Sequence, residues 1–173
     1  MTKYWITGVS GTGKTTVGKH LAKDGTTVVD IEEVAGLCRW ENKETKQPVA
    51  FPDVVTKQFN DTHSWSVDTV KLQTLIDESS QPVFIVGMND SLENQFAEFE
   101  KVFVLQCTNE VLRARLQSRT NNSFGKDNTM RDDVLAFHTE YETRLIKNGA
   151  IAIDANESVL EVATQVMSFL TQI

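Results

Sequence analysis

Eight residues, Gly8-Val9-Ser10-Gly11-Thr12-Gly13-Lys14-Thr15, constrain this chain more than any other feature. They fit G-x-x-x-x-G-K-[ST], the phosphate-binding loop (P-loop) pattern, which functions only between a strand and a helix. Both flanks agree with that context. Tyr4-Trp5-Ile6-Thr7 predicts a short buried strand, and Lys14 to Lys23 predicts a helix with Val17 and Leu21 at i, i+4. The glycines let the backbone curl, so that successive N–H groups point into one concavity at the helix N-terminus and attract an anion. Gly8, Ser10, Gly11, Thr12, Gly13, Lys14, Thr15 and Thr16 are therefore the expected contacts to a nucleoside triphosphate. The Lys14 ammonium can reach the β- and γ-phosphates, and the Thr15 hydroxyl can ligate Mg²⁺. The plainer alternative is a Gly-rich turn that merely joins strand to helix.

A chain of 173 residues is expected to form one domain, 1–173, with a core that needs no disulfide or metal. The net charge is −7 and no dense Lys/Arg cluster occurs, which speaks against general nucleic-acid binding. In an acidic protein that holds a polyanion, each loop cation becomes a candidate for the site. Cys38 and Cys107 have no metal-ligand spacing and read as small packed hydrophobes. The N-terminus carries no basic region leading an apolar one, and no apolar run approaches the length of a membrane span. The expectation is a cytoplasmic protein without membrane association, its oligomeric state left open.

Strand and helix signals alternate. Thr26-Thr27-Val28-Val29 predicts a second strand ending at Asp30, and Ile31 to Arg39 then reads as a helix with Ile31, Val34, Ala35 and Cys38 on one face. Residues 40–64 are polar and irregular, and Ser66 to Glu78 reads as helical. Val83-Phe84-Ile85-Val86 and Val102-Phe103-Val104-Leu105 are continuous apolar runs, as in strands buried on both faces. Asn109 to Ser118 predicts a helix, Thr120 to Thr129 a loop, Arg131 to Lys147 a long helix stopped by Gly149, Ala150 to Ile153 a strand, and Glu157 to Leu170 a closing helix. The fold class expected is α/β, a three-layer P-loop fold with a five-stranded parallel sheet. Ligands should gather beyond the carboxyl ends of the strands, with 40–64 and 119–129 as the movable parts.

The order of these parts resembles the small nucleoside-monophosphate kinases and, more loosely, the shikimate-type kinases. The segment Arg115-Leu116-Gln117-Ser118-Arg119 is similar to the R-x-x-x-R that opens the lid of adenylate-kinase-like proteins. The resemblance implies ATP and Mg²⁺, Arg115 stacking on adenine, Arg119 gripping phosphates, and a short lid at 119–129 with Lys126 as its cation. Arg131-Asp132-Asp133 is similar to the post-lid Arg-x-Asp-Asp segment, although no residue separates Arg131 from the Asp pair. By that likeness Arg131 contacts the transferring phosphate, and 40–64 is a small acceptor-binding insertion. The family's Asp-Gly-Phe-Pro-Arg segment is replaced here by Val86-Gly87-Met88-Asn89-Asp90.

Several residues carry a functional and a plainer reading side by side. Asp30 can orient an acceptor hydroxyl or a hydrated Mg²⁺, or simply cap the next helix. Arg39 can bind an acceptor phosphate through its guanidinium fork, or favour a helix terminus. Gly87 and Asp90 sit where an acceptor or a metal-orienting carboxylate belongs, and Asp90 also suits a turn. Asn156 can border adenine or cap a helix. Trp40, His63 and Trp65 can line an aromatic slot or pack the insertion. Lys14, Arg119, Arg131 and Asp30 are the expected catalytic set. The function these readings imply is ATP-dependent phosphoryl transfer to a small acceptor, a nucleotide or nucleoside before a shikimate- or gluconate-like hydroxyl compound. A P-loop ATPase or switch acting on a macromolecular partner is the remaining alternative.

Overall fold

A computed structural model describes residues 1–52, 56–118 and 128–170. Its main sheet contains β1 (Lys3–Thr7), β2 (Thr27–Asp30), β5 (Val83–Val86), β6 (Lys101–Gln106) and β7 (Ile151–Asp154), in the order β2-β5-β1-β6-β7. Every pairing is parallel, which matches the five-stranded α/β expectation. Continuous apolar runs form the central strands because helices cover both sheet faces. All four residues of β5 are buried, as are Val102 to Leu105 of β6. Around the sheet, α1 (Lys14–Lys23) packs on α7 (Val159–Ser168), and α5 (Asn109–Ser118) packs on α6 (Asn128–Lys147). Trp5, Tyr141, Phe84 and Phe103 are the largest fully buried side chains of this core among the described residues.

The region after β2 differs from its expected helix. Residues 31–37 form turns, held by Glu33 and Val34 N–H groups donating to the Asp30 carbonyl and Leu37 N–H donating to Val34. Gly36 has φ +66°, a left-handed turn that stops a helix from continuing. The chain then enters β3 (Cys38–Asn42), which pairs antiparallel with β4 (His63–Val67) in a separate two-stranded sheet. A short α2 (Lys57–Thr62) leads into β4, and α3 (Thr69–Asp77) follows, capped by the Asp68 carboxylate. The stretch read as irregular thus contains a hairpin. Its register sets Trp40 opposite Trp65, across 25 positions of chain.

Two contacts seat this hairpin beyond the main sheet. The four-residue α4 (Asp90–Glu93) begins just after β5, and the Asp90 carboxylate accepts the Trp65 backbone N–H at 3.1 Å. Asn89 Nδ2 donates to Cys38 Sγ at 3.7 Å. Val86, the last residue of β5, is in register with Asp30. The hairpin therefore borders the carboxyl ends of β2 and β5, where ligands of parallel sheets collect.

Candidate active site

The Gly8–Thr15 segment leaves β1 and enters α1 as its pattern requires. Gly8, Gly11 and Gly13 have φ of +149°, +93° and +98°, which side-chain-bearing residues rarely adopt. Space enforces the choice at Gly8 as well. A Cβ there would lie 2.8 Å from Thr12 Oγ1 and 2.9 Å from the Leu105 carbonyl oxygen. Thr12 closes the turn by donating to the Val9 carbonyl through both its N–H (3.3 Å) and its hydroxyl (2.9 Å). Gly13 caps α1 without a side-chain hydrogen bond, and the first turn of α1 carries no acidic residue. The first backbone N–H groups of α1 thus meet an anion with nothing of their own charge to repel it.

Beside the loop lies a cavity of about 310 Å³, lined by residues 10–17, Glu32, Arg115, Ala155, Glu157, Val159 and Val162. Lys14 is buried along the loop, its Nζ donating to the Val9 carbonyl at 3.2 Å and lying 4.0 Å from Glu32 Oε1. Arg115 reaches the loop from α5, donating to the Thr12 carbonyl at 3.3 Å and to Cys107 Sγ at 3.3 Å. The guanidinium expected at the nucleotide site is therefore held against the phosphate loop.

Asp30 ends β2 on the other flank. One carboxylate oxygen, Oδ1, accepts the Glu32 N–H at 3.0 Å, while Oδ2 is buried with no well-aligned donor among the described residues, the Thr15 hydroxyl beside the carboxyl being a weak partner. Burial pushes the carboxyl above its ordinary range; the Thr15 hydroxyl and the Glu32 N–H draw it back, and the Glu32 and Glu33 charges push it further up. A buried acceptor without a donor is costly unless something supplies one. A water on Mg²⁺ or a substrate hydroxyl would do so, and Thr15 beside it offers the metal a hydroxyl ligand. The donor set thus fits Mg²⁺, a hard cation that keeps several waters and takes few protein oxygens.

Glu32 was not singled out from the sequence. It lines the cavity, approaches Lys14 and accepts the Met88 N–H at 3.2 Å. A carboxylate two residues beyond Asp30 was the available signal. Cys38 stands close by: burial, then the Glu32 and Asp30 charges, push its thiol up to about 12. It is an inert thiol facing the carboxylate end of the site.

Other expected residues are engaged in structure. Asp90 anchors Trp65, and burial raises its carboxyl despite that N–H, Lys43 and Arg144. Gly87 has φ +142°, and a Cβ there would come within 2.4 Å of Ile31 Cγ1. Asn156 accepts the Thr108 N–H at 2.8 Å and donates to Asp154 at 2.7 Å, bracing the β7 end. Arg39 is half-exposed on the hairpin, with Nη2 3.6 Å from Glu41 Oε2. Arg131 is buried near the start of α6. Arg119 and Lys126 lie outside the described residues, as does the expected lid 119–129 except Asn128 and Thr129, which belong to α6 and not to a loop.

Behind the loop, α6 is fastened to the sheet by polar contacts. The Tyr141 hydroxyl bonds Thr7 Oγ1 at 2.7 Å. Buried His138 pairs with Glu142 through Nδ1 at 3.1 Å and with Asn109 through Nε2 at 2.7 Å, and Gln106 donates to Glu142 at 3.0 Å.

A family model described as an AAA domain matches residues 5–136. The chain is 28% identical over 175 residues to a shikimate kinase of Bacillus mycoides (strain KBAB4), covering 95% of this chain and 96% of that protein. Its fold is similar to that of a deoxyadenosine kinase from M. mycoides, with TM-score 0.58, 13% identity, and 99% and 100% of the two chains covered. It is also similar to a shikimate kinase from Bacteroides thetaiotaomicron, with TM-score 0.60, 16% identity and 98% of each chain covered. At these identities the structural likeness is one of fold.

Proposed function

The chain belongs to the AAA-domain family, and from that premise we propose that it is a small kinase, transferring the γ-phosphoryl group of ATP to a hydroxyl of a small acceptor. One observation carries the hydroxyl half of this reading: the buried Asp30 Oδ2 at the end of β2, beside Thr15 of the phosphate loop and with no well-aligned donor among the described residues. The names of the similar proteins, kinases of shikimate and of deoxyadenosine, support the same class of reaction.

The chain's own groups divide the work. The loop N–H groups and Lys14 hold the β- and γ-phosphates and neutralise charge that develops during transfer. Arg115 flanks the nucleotide from α5. Thr15 and Asp30 would hold Mg²⁺, which when bound would supply further charge neutralisation to the phosphates. Asp30 Oδ2 accepts the hydrogen bond of the acceptor hydroxyl. As the acceptor O–P bond forms and the Pγ–O bond to ADP breaks, the hydroxyl proton passes to Asp30 and then to solvent. Burial raises the basicity of Asp30, which suits it to that role. Glu32, near Lys14, keeps the ammonium directed along the loop.

Labelled ATP, incubated with nucleosides, nucleotides and sugar acids, tests the reading. Label should appear in one acceptor class, and Lys14→Ala should slow that transfer by at least about a hundredfold, the usual size of a lost charge-stabilising contact. A folded Lys14→Ala protein with near-normal transfer refutes the proposal.

A further inference from the structure

The hairpin that borders the Asp30 end of β2 carries an aromatic cluster, and among the described residues several of its cations already sit against carboxylates. Strand alternation places Cys38, Trp40, Trp65 and Val67 on one hairpin face, and Arg39, Glu41, Ser64 and Ser66 on the other. The first face begins at Cys38, which is bonded to Asn89 and senses both Glu32 and Asp30. Trp65 follows, fastened through its backbone to Asp90 at the end of β5. Trp40 lies 5.7 Å from Trp65 and is itself backed by Phe51 (5.3 Å, stacked) and Phe59 (5.2 Å). Trp65 is half-buried, and among the described residues Trp40 is its only ring neighbour. The result is a ring braced from behind, on the hairpin that borders the carboxyl ends of β2 and β5.

Among the described residues, three cations of this region are already paired with carboxylates. Arg39 and Lys46 flank the buried Glu41 carboxylate at 3.6 and 3.8 Å. Lys43 donates to the carbonyls of Asn60 and Asp61 at 2.8 and 3.1 Å. Arg144 forks onto Glu93 at 3.1–3.3 Å. Lys14 serves the phosphate loop, and Arg131 is buried in α6. The carboxylates at the end of β2, in the turn after it and at the start of α4 are Asp30, Glu32 and Asp90. An acceptor bearing a phosphate or carboxylate there would meet like charge and would have to break an existing ion pair.

Resting on the kinase reading above, we propose that the acceptor is an uncharged nucleoside, its base stacked on Trp65 of the β3–β4 hairpin and its hydroxyl directed at Asp30. The flat ring supplies the stacking surface, neutrality suits the acidic wall, and the hydroxyl provides the donor that Asp30 Oδ2 lacks. Selection against nucleotides and sugar acids follows from repulsion as much as from attraction.

Steady-state kinetics of the full chain with ATP provides the test, using purine and pyrimidine nucleosides, their 5′-monophosphates, shikimate and gluconate. A nucleoside should be preferred over its own monophosphate and over both acids by at least about tenfold in kcat/KM. Trp65→Ala should raise the nucleoside KM by about tenfold or more, the worth of a base on an aromatic ring, with the ATP KM unchanged. Trp65→Phe, which keeps a ring, should recover most of that loss. Nucleoside titration should quench tryptophan fluorescence in wild type and lose that component in Trp65→Phe, a reading that survives if the alanine variant does not fold. Preference for an anionic acceptor, or an unmoved nucleoside KM in folded Trp65→Ala, overturns the inference and leaves the kinase standing. ATP binding without transfer to any nucleoside does the same. Failure to bind ATP at all overturns the kinase reading itself.

Discussion

Gly87 separates a packing role from an acceptor-binding role, because Gly87→Ala puts a methyl group where the structure has no room. The new Cβ would stand 2.4 Å from Ile31 Cγ1 and 2.9 Å from its Cδ1. Ile31 is fully buried and cannot swing aside. The glycine backbone cannot retreat either: its N–H donates to the Ile6 carbonyl at 3.1 Å, and its own carbonyl accepts the Trp5 indole at 2.8 Å. Overpacking a filled core costs about 1–3 kcal/mol. A side chain at φ +142° adds about 1–3 kcal/mol of backbone strain. The two together come to about 4 kcal/mol, or about 10 °C in Tm for a chain of this size. Urea and thermal unfolding measure the loss, and a double-mutant cycle with Ile31→Ala assigns its cause. In the Ile31→Ala background the clash is gone, so Gly87→Ala should cost only the strain, about 1–3 kcal/mol. Strict additivity within about 0.5 kcal/mol, or a single-variant loss below about 1 kcal/mol, refutes this reasoning. The rival role, direct contact with the acceptor, predicts instead a raised acceptor KM in a protein of unchanged stability.

Asp30→Asn should abolish transfer and flatten the pH dependence of stability. Burial raises the folded pKa of Asp30, so over the window between its unfolded and folded values the native state binds the extra proton, and stability falls as pH rises through that window. The amide removes this decline, so Tm relative to wild type should improve from acidic to neutral pH; an unchanged wild-type slope contradicts the sign. His138→Ala should lower stability by about 2 kcal/mol in urea unfolding, because it takes one hydrogen-bond partner from the buried Glu142 carboxylate, which keeps Gln106, and another from Asn109. A loss under about 1 kcal/mol would mean that α6 is not fastened by this pair.

Much of the fold was legible wherever the determining contacts are close in sequence. The phosphate loop is such a case: a turn, a helix start and their glycines lie within eight residues, and the left-handed conformations of Gly8, Gly11 and Gly13 are local requirements. The apolar runs of β5 and β6 announce strands covered on both faces for a similar reason, since uniform burial leaves no alternation to hide them. The candidate site divides along the same line. Asp30 ends β2, and Lys14 and Thr15 open α1 after the loop that leaves β1, where the order of elements predicts them.

The hairpin shows where local reading stops. Ile31, Val34, Ala35 and Cys38 carry helical spacing, yet Gly36 turns the chain and Cys38 opens a strand. A helix draws its hydrogen bonds from four residues away, so periodicity reports it. The partner of a strand can be anywhere, and Trp40 finds Trp65 only because the whole insertion folds back. The same distance hid the roles of Asp90 and Asn156, whose side chains satisfy the backbones of Trp65 and Thr108, 25 and 48 positions away. Sequence alone therefore established a phosphate loop on a parallel α/β sheet. Which carboxylate lacks a donor, which cations are already paired and which ring faces the acceptor are properties of groups that meet only in space, and folding of the whole chain settles them.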